Sequence, residues 1–420
     1  MHLYYANRVL DTDPVRITER AVLAVENGTI SWVRNQSEID SSLDGVQRTD
    51  LGDVTLMPGL IDAHVHLGFD GGPKPVERMM RESDPEQLAL MLKSARELLS
   101  VGVTTARDLG ARSYLDVVVR ESIANQDARG PRMITAGSPL TPTGGHCWYM
   151  GGEVDSDDDI RRMIRNHHKH GVNQIKVMST GGFMTAGSAP WYAQFTEAQL
   201  RIMVDEAHRV GKRVAAHAHG TEGIERALTA GVDTLEHCSF TTTDGHRTLD
   251  PELADRIAAS AVYVSPTVNF RAPAVQEILG TKDFSLRIAG LYERGAKIIA
   301  STDAGIDNTP HYGYVAGLEA MNHFGLPVKE TLQAATSRSA KALGLTGQVG
   351  TLTPGAKADL IAVGGNPIES LAALHDLRFV MTEGVPFIPD QLPELQPVDP
   401  SFVPLSLTAG AAEILSRDAT

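Results

Sequence analysis

The spacing of hydrophobic residues changes character twice along this chain. From residue 1 to 56, apolar positions come in short runs of strand length: Ala21–Val25, Thr29–Val33 and Thr55–Met57. Glu26-Asn27-Gly28 has the composition of a tight hairpin turn between the first two runs. From residue 57 to 344, strand-like runs alternate with stretches whose apolar residues recur every three to four positions. This pattern predicts strands near 60–66, 103–108, 131–136, 173–178, 212–217, 232–237, 261–267 and 296–302, each followed by helix. The clearest helical stretches are Glu86–Leu99, Asp157–His168 and Thr196–Val210. Beyond residue 345 the strand pattern returns, in 350–363 and 378–387.

Eight successive βα units predict an α/β fold of the (β/α)8 TIM-barrel type over 57–344. No Gly-x-Gly-x-x-Gly follows an early strand, which argues against an open nucleotide-binding sheet. Neither terminal piece has enough strands to bury a core alone. Residues 1–56 plus 345–390 are therefore expected to form one small β-sandwich domain built from both chain ends. The segment 391–420, with prolines at 393, 397, 400 and 404, reads as an extended tail with a short helix from about 408 to 416.

Charge narrows the function classes. With 38 basic and 52 acidic residues the formal net charge is −14, so no electrostatic footprint for nucleic acid or an anionic membrane is expected. The two cysteines, Cys147 and Cys238, exclude a disulfide framework and suit a reducing compartment. The first residues lack a basic segment followed by an apolar one, and no run has bilayer-spanning length, so a cytoplasmic location is expected.

In a barrel, chemistry belongs at the carboxyl ends of the strands. Strand one ends in His64-Val65-His66, two imidazoles projecting from one face. Strand four carries Lys176 inside an apolar run, where a buried ammonium is costly unless paired or chemically altered. Strand five ends in His217-Ala218-His219, either of which points the right way for a ligand. Strand six ends at His237, and strand eight at Asp303. Taken singly, each has an ordinary reading: a core histidine, a snorkelling lysine, an aspartate capping a turn. Together they form a donor set suited to zinc.

With these residues in hand, the chain resembles the amidohydrolase superfamily, and within it the imidazolonepropionase-like subgroup that includes Xaa-Pro dipeptidases. The likeness rests on Pro58-Gly59-Leu60-Ile61-Asp62-x-His64-x-His66, Thr143-Gly144-Gly145-His146, Lys176 to Gly182, His217, His237, Thr302-Asp303-Ala304-Gly305 and the closing segment 350–360. The resemblance implies two divalent metal ions, most simply zinc: His64 and His66 with Asp303 on one, His217 and His237 on the other, and a carbamate on Lys176 bridging them. It also implies a metal-activated hydroxide as nucleophile, Asp303 as general base and then acid, and His146 as oxyanion donor. Where the peptidase relatives carry a tyrosine two residues after the strand-five ligand, this chain has His219, a shorter and titratable donor.

The substrate pocket is expected from the loops after the strands. Trp148, Trp191, Tyr192 and Phe270 are candidates for aromatic walls, Arg271 for pairing with a substrate carboxylate, and His311 for a further contact. These features imply a small-molecule substrate, and the resemblance implies a homo-oligomer. The leading reading is a metal-dependent hydrolase of a C–N bond in an N-acyl amino acid or peptide-like substrate. The alternatives are a cyclic-amide, phenylurea or carbamate hydrolase using the same site, and a non-catalytic metal-binding barrel.

Overall fold

The computed structural model describes residues 1–243 and 247–399. The helix expected near 408–416 lies outside the described residues. Strands β1 (His2–Thr12), β2 (Val15–Glu26), β3 (Thr29–Asn35), β4 (Gln47–Asp50) and β5 (Val54–Pro58) come from the amino-terminal stretch. The central region contributes β6 (Leu60–Val65), β7 (Val103–Asp108), β8 (Arg132–Ile134), β9 (Gln174–Met178), β10 (Arg213–Gly220), β11 (Thr234–Thr241), β12 (Tyr263–Ser265) and β13 (Lys297–Ile298). The carboxy-terminal stretch adds β14 (Leu360–Gly364), β15 (Leu377–Thr382) and β16 (Val385–Phe387).

The two chain ends share one eight-stranded sheet, in the order β16-β15-β14-β5-β1-β2-β3 with β4 beside β1. The joint is the antiparallel pairing of β14 with β5, from Leu360 opposite Pro58 to Gly364 opposite Val54. Strand alternation gives this sheet two apolar faces. Tyr4, Ala6, Ala21 and Leu23 pack on one, and Leu3, Val22 and Ala24 on the other. Asn27 (φ 51°) and Gly28 (φ 73°) make the β2–β3 turn, whose left-handed pair matches strand twist. A β-carbon at Gly28 would also meet the Glu383 carbonyl oxygen at 2.8 Å.

The central strands pair in parallel, and β6, β7, β9 and β11 are buried throughout, as their apolar runs require. They form two hydrogen-bonded groups, β6-β7-β8 and β9-β10-β11-β12-β13. Leu140, beyond β8, bridges to Val177 of β9. On the far side residues 300–304 run beside β6, through Ala63 N to Ala300 O (3.0 Å), Asp303 N to His64 O (2.9 Å) and His66 N to Ala304 O (2.8 Å). Helices follow each strand; the three clearest span Asp84–Ser100, Asp157–Lys169 and Glu197–Arg209, each opened by a reciprocal side-chain cap at Ser83, Ser156 and Thr196. One large core joins these helices to the parallel strands. No helix among the described residues is long and apolar enough to cross a membrane.

The segment after β16 is extended to residue 399 and is strapped to the helix Asp84–Ser100. Asp390 accepts two bonds from the Arg96 guanidinium (2.5 and 2.8 Å), and its amide donates to Ser100 Oγ (3.1 Å).

Candidate active site

The strand-end residues singled out in the sequence meet at one place. His64 Nε2 lies 3.2 Å and His66 Nε2 3.3 Å from Asp303 Oδ1, and the two Nε2 atoms are 3.3 Å apart. Four donors held about 2.05 Å from a tetrahedral zinc are separated by about 3.3 Å, so this triangle has the spacing of a metal's ligand edge. His217, His219 and His237 form a second group whose candidate ligand atoms lie within 4.8 Å of one another. Asp303 faces both groups, its Oδ2 being 3.9 Å from His237 Nδ1. Lys176, 1 % exposed, lines the cavity that both groups border.

Local backbone geometry aims these side chains. His237 (φ 63°) and Asp303 (φ 61°) are left-handed non-glycine residues, a conformation costing about 1 kcal/mol or more that persists where surrounding contacts enforce it. The β10–β11 register shifts between Ala218 and Gly220, next to His219. Asp62, buried behind the site, accepts bonds from His64 N and Thr302 N (both 3.2 Å) and Thr302 Oγ1 (2.5 Å), pinning β6 to the Asp303 segment.

Several imidazoles have one nitrogen tied back, which fixes the ring and leaves the other free. His64 Nδ1 bonds Glu236 Oε2 (2.8 Å), His217 Nε2 the Gly181 carbonyl (2.9 Å), His219 Nδ1 Ser239 Oγ (2.8 Å) and His237 Nδ1 Thr267 Oγ1 (2.8 Å). Behind His64 a wholly buried chain continues: Arg107 Nη2 donates to Glu236 Oε1 at 2.7 Å. Neither Arg107 nor Glu236 was assigned a role from sequence. A charged residue within each buried strand was the available signal.

The electrostatics suit a cation site. Burial holds His64 down to about 4 and His146 to about 3, with the Lys176 charge adding to both. His217, His219 and His237 are held well below the usual imidazole range, first by burial, so all are neutral donors near pH 7. For Asp303 burial pushes the carboxyl up, but His64, His66 and Lys176 more than reverse this and keep it ionised. Burial lowers Lys176 to about 8. Lys176 Nζ, Asp303 Oδ1, His66 Nδ1 and His146 Nδ1 are buried without a hydrogen-bond partner among the described residues. Lys176 Nζ and Asp303 Oδ1, unpartnered and buried beside the histidine cluster, are costly unless a ligand engages them, and the donor chemistry fits divalent metal ions.

Of the remaining candidates, His146 is at the site, its ring 4.6 Å from that of His217. Arg271 lines the cavity beside the site, but its Nη1 donates to the Asp307 carbonyl (2.9 Å). The other pocket expectations are corrected. Trp148 (40 % exposed) and Tyr192 (53 % exposed) face outward, Trp191 is packed into the protein, and none of them lines the cavity. Phe270 packs against Gly313, and His311 is buried with Nε2 on the His66 carbonyl (3.1 Å). Their loops do approach the site, yet turn these side chains elsewhere. The aromatic walls are instead Phe69, Phe183 and Phe284. Phe284 and Arg287, three residues apart on the helix Asp283–Glu293, were not foreseen because that helix reads as an ordinary amphipathic one. Both cysteines are buried, and burial pushes their thiols up, Cys147 to about 11 and Cys238 to about 12.

Comparison with known proteins agrees with this geometry. Ochratoxinase from Aspergillus niger is 28% identical over 408 residues, covering 88% of this chain and 82% of its own. Imidazolonepropionase from Paracoccus denitrificans is 24% identical over 373 residues, covering 82% of this chain and 88% of its own. Among solved structures, an Xaa-Pro dipeptidase with methionine bound in its active site superposes with a TM-score of 0.82 at 29% identity, covering 92% of this chain and 99% of that one. The profile of the amidohydrolase family matches residues 55–391, most of the chain, and the protein belongs to that family of metal-dependent hydrolases of carbon–nitrogen bonds.

Proposed function

We propose that the protein is a binuclear metal-dependent amidohydrolase that cleaves the C–N bond of an N-acyl amino acid or peptide-like substrate. In this reading the central strands close into a (β/α)8 barrel over residues 57–344. Residues 1–56 plus 345–390 form a β-sandwich beside it, and 391–420 is a tail. The observation that carries the reading is the His64–His66–Asp303 triangle, with its metal-like spacing and its unpartnered carboxylate oxygen.

His64, His66 and Asp303 would hold one zinc ion, and His217 and His237 the second. Bound divalent ions would supply Lewis acidity toward a carbonyl and acidify a water molecule. Lys176 Nζ, held near pKa 8, is about one-tenth neutral at pH 7. That neutral amine adds to carbon dioxide and releases a proton, replacing an unpartnered cation by an anionic oxygen donor between the two groups. Asp303 accepts the proton of the attacking water at its carboxylate and returns it to the departing nitrogen. His146, neutral and unpartnered at Nδ1, donates to the developing oxyanion. His219, its Nδ1 on Ser239, presents Nε2 to the reacting group.

The likeness to an Xaa-Pro dipeptidase with methionine bound in its active site supports an amino-acid leaving group. Cyclic-amide, phenylurea or carbamate hydrolysis is the second reading, favoured by the Phe69, Phe183 and Phe284 walls. The proposed enzyme acts in the cytoplasm as a homo-oligomer. A panel on the zinc-loaded protein tests the function: turnover of N-acyl amino acids without turnover of aryl ureas supports it. Turnover of ureas alone moves the assignment to the second reading, and inactivity on every amide, urea and ester overturns both.

A further inference from the structure

The protein is strongly acidic as a whole, yet the cavity beside the metal-type cluster collects three guanidinium groups. This cavity, about 220 Å³, is bordered by His66, His146, Lys176, His217, His219, His237 and Asp303 on its inner side. Arg247, Arg271 and Arg287 line the same cavity, together with the two carboxylates Asp283 and Asp307. The excess of positive charge outside the cluster points to an anionic substrate.

The three arginines are not equivalent. Arg287 Nη1 is committed to the His237 carbonyl (2.6 Å) and its Nη2 faces the Pro266 carbonyl (3.4 Å). Arg271 is held by the Asp307 carbonyl (2.9 Å). Arg247 has no ion pair and no side-chain hydrogen bond among the described residues; its guanidinium carbon sits 5.3 Å from the centroid of Phe183. A guanidinium resting on an aromatic face keeps its in-plane N–H groups free for a bidentate acceptor. Burial lowers the Arg247 pKa, and Asp283 only partly offsets this. A charged group of this kind gains most from an added carboxylate.

Its position is equally specific. Phe183 meets His219 edge-on at 4.9 Å, and His219 stacks on His237 at 4.3 Å. One aromatic ring therefore separates Arg247 from the imidazoles at the reacting end. Ala272, Val275 and Phe284 supply an apolar wall of the same cavity.

We infer that Arg247 is the carboxylate-binding residue of this cavity, so that the scissile amide belongs to an N-acylated α-amino acid with a free carboxylate and an apolar side chain. The inference rests on the amide-hydrolase reading above. The amide nitrogen leaves as the amine of the amino acid, its proton returned by Asp303, while Arg247 holds the carboxylate before and after cleavage.

The test compares N-benzoyl-L-phenylalanine with its carboxamide on the zinc-loaded protein. Wild type is expected to prefer the free acid. In Arg247→Met the acid-over-amide ratio of kcat/KM falls about 10- to 100-fold, the range for one charge-assisted bidentate contact. Arg247→Lys restores part of the preference, and Arg271→Met keeps it; thermal melts verify that each variant is folded. Equal turnover of acid and amide by wild type, or an equal loss on both in Arg247→Met, overturns the assignment of Arg247 while leaving amide hydrolysis intact. If wild type cleaves neither compound, the amide reading fails, and calorimetric binding of N-benzoyl-L-phenylalanine decides the site separately. Weaker binding to Arg247→Met upholds the carboxylate anchor; unchanged or undetectable binding to wild type and variant removes it.

Discussion

Glu236→Gln is the most informative single perturbation of the buried machinery. Glu236 is fully buried and uses both oxygens: Oε1 accepts from Arg107 Nη2 (2.7 Å) and Thr234 Oγ1 (2.5 Å), Oε2 from His64 Nδ1 (2.8 Å). Glutamine is nearly isosteric, but one of its two ends is a donor. Whichever way it turns, an N–H group faces Arg107 or His64. Arg107, 1 % exposed, would keep only neutral partners: the Ala63 carbonyl (2.5 Å), Thr234 Oγ1 (3.0 Å) and Gln174 Oε1 (3.4 Å). Leaving a buried charge without its counter-ion costs about 3–5 kcal/mol. Burial alone would raise the Glu236 pKa, but Arg107 and then His64 bring it below the usual carboxylate range. A depressed folded pKa means the stabilisation is complete above the unfolded value, about 4.3, and is lost as pH falls toward the folded value. The wild-type-to-variant difference is therefore largest at neutral pH and narrows under acid conditions. Chemical denaturation of metal-stripped protein reads this directly. Arg107→Met/Glu236→Leu, which removes both charges, should recover at least half of the loss. Freed of its orienting carboxylate, His64 should also bind metal about 10- to 100-fold more weakly in Glu236→Gln. A cost below about 1 kcal/mol, or a double variant no better than the single one, refutes the reasoning.

Asp303→Asn is expected to lower kcat about 10²- to 10⁴-fold with the fold intact, as loss of a general base does; steady-state kinetics beside thermal melts check it. Gly182→Ala should cut kcat about 100-fold or more while leaving metal content unchanged, because the new β-carbon would lie 2.3 Å from His146 Nε2 and displace the oxyanion donor. His167 is buried and neutral, accepting from Tyr114 OH at Nδ1 (2.9 Å) and donating from Nε2 to the Ser138 carbonyl (2.7 Å). Burial holds it down to about 4, so between pH 6.5 and 4 the unfolded chain binds the proton that the folded one refuses, and stability falls as pH falls through that window. His167→Gln should reduce the slope of unfolding free energy there by up to about 1.4 kcal/mol per pH unit; an unchanged slope contradicts the assignment.

Much of this organisation was legible in the residue pattern because it rests on burial. Runs such as Gln174–Met178 are covered on both faces, so their apolar content marks the strand, and Lys176 within it stands out as chemically anomalous. The two His-x-His pairs declare themselves through strand alternation. His217 and His219 stayed equivalent in sequence because the same alternation puts both on one face; the structure brings both to the site but anchors them through different nitrogens, to Gly181 and Ser239. The Arg107–Glu236 pair was hidden for another reason. Its members are far apart in the chain, and each looks locally like a polar strand residue. The pocket walls were the least accessible feature: Trp148 and Tyr192 have the right composition for a wall, but loop geometry turns them to solvent. Phe284, Arg287 and Arg247 reach the cavity only through tertiary placement.

The central claim is that these dispersed side chains bind divalent metal. Its most direct test is elemental analysis of the protein purified under metal-replete conditions, combined with anomalous diffraction at the zinc edge. The account predicts two ions per chain, one among His64, His66 and Asp303 and one at His217 and His237. Folded protein carrying no metal above background, or metal bound elsewhere while these side chains stay free of it, would contradict the account.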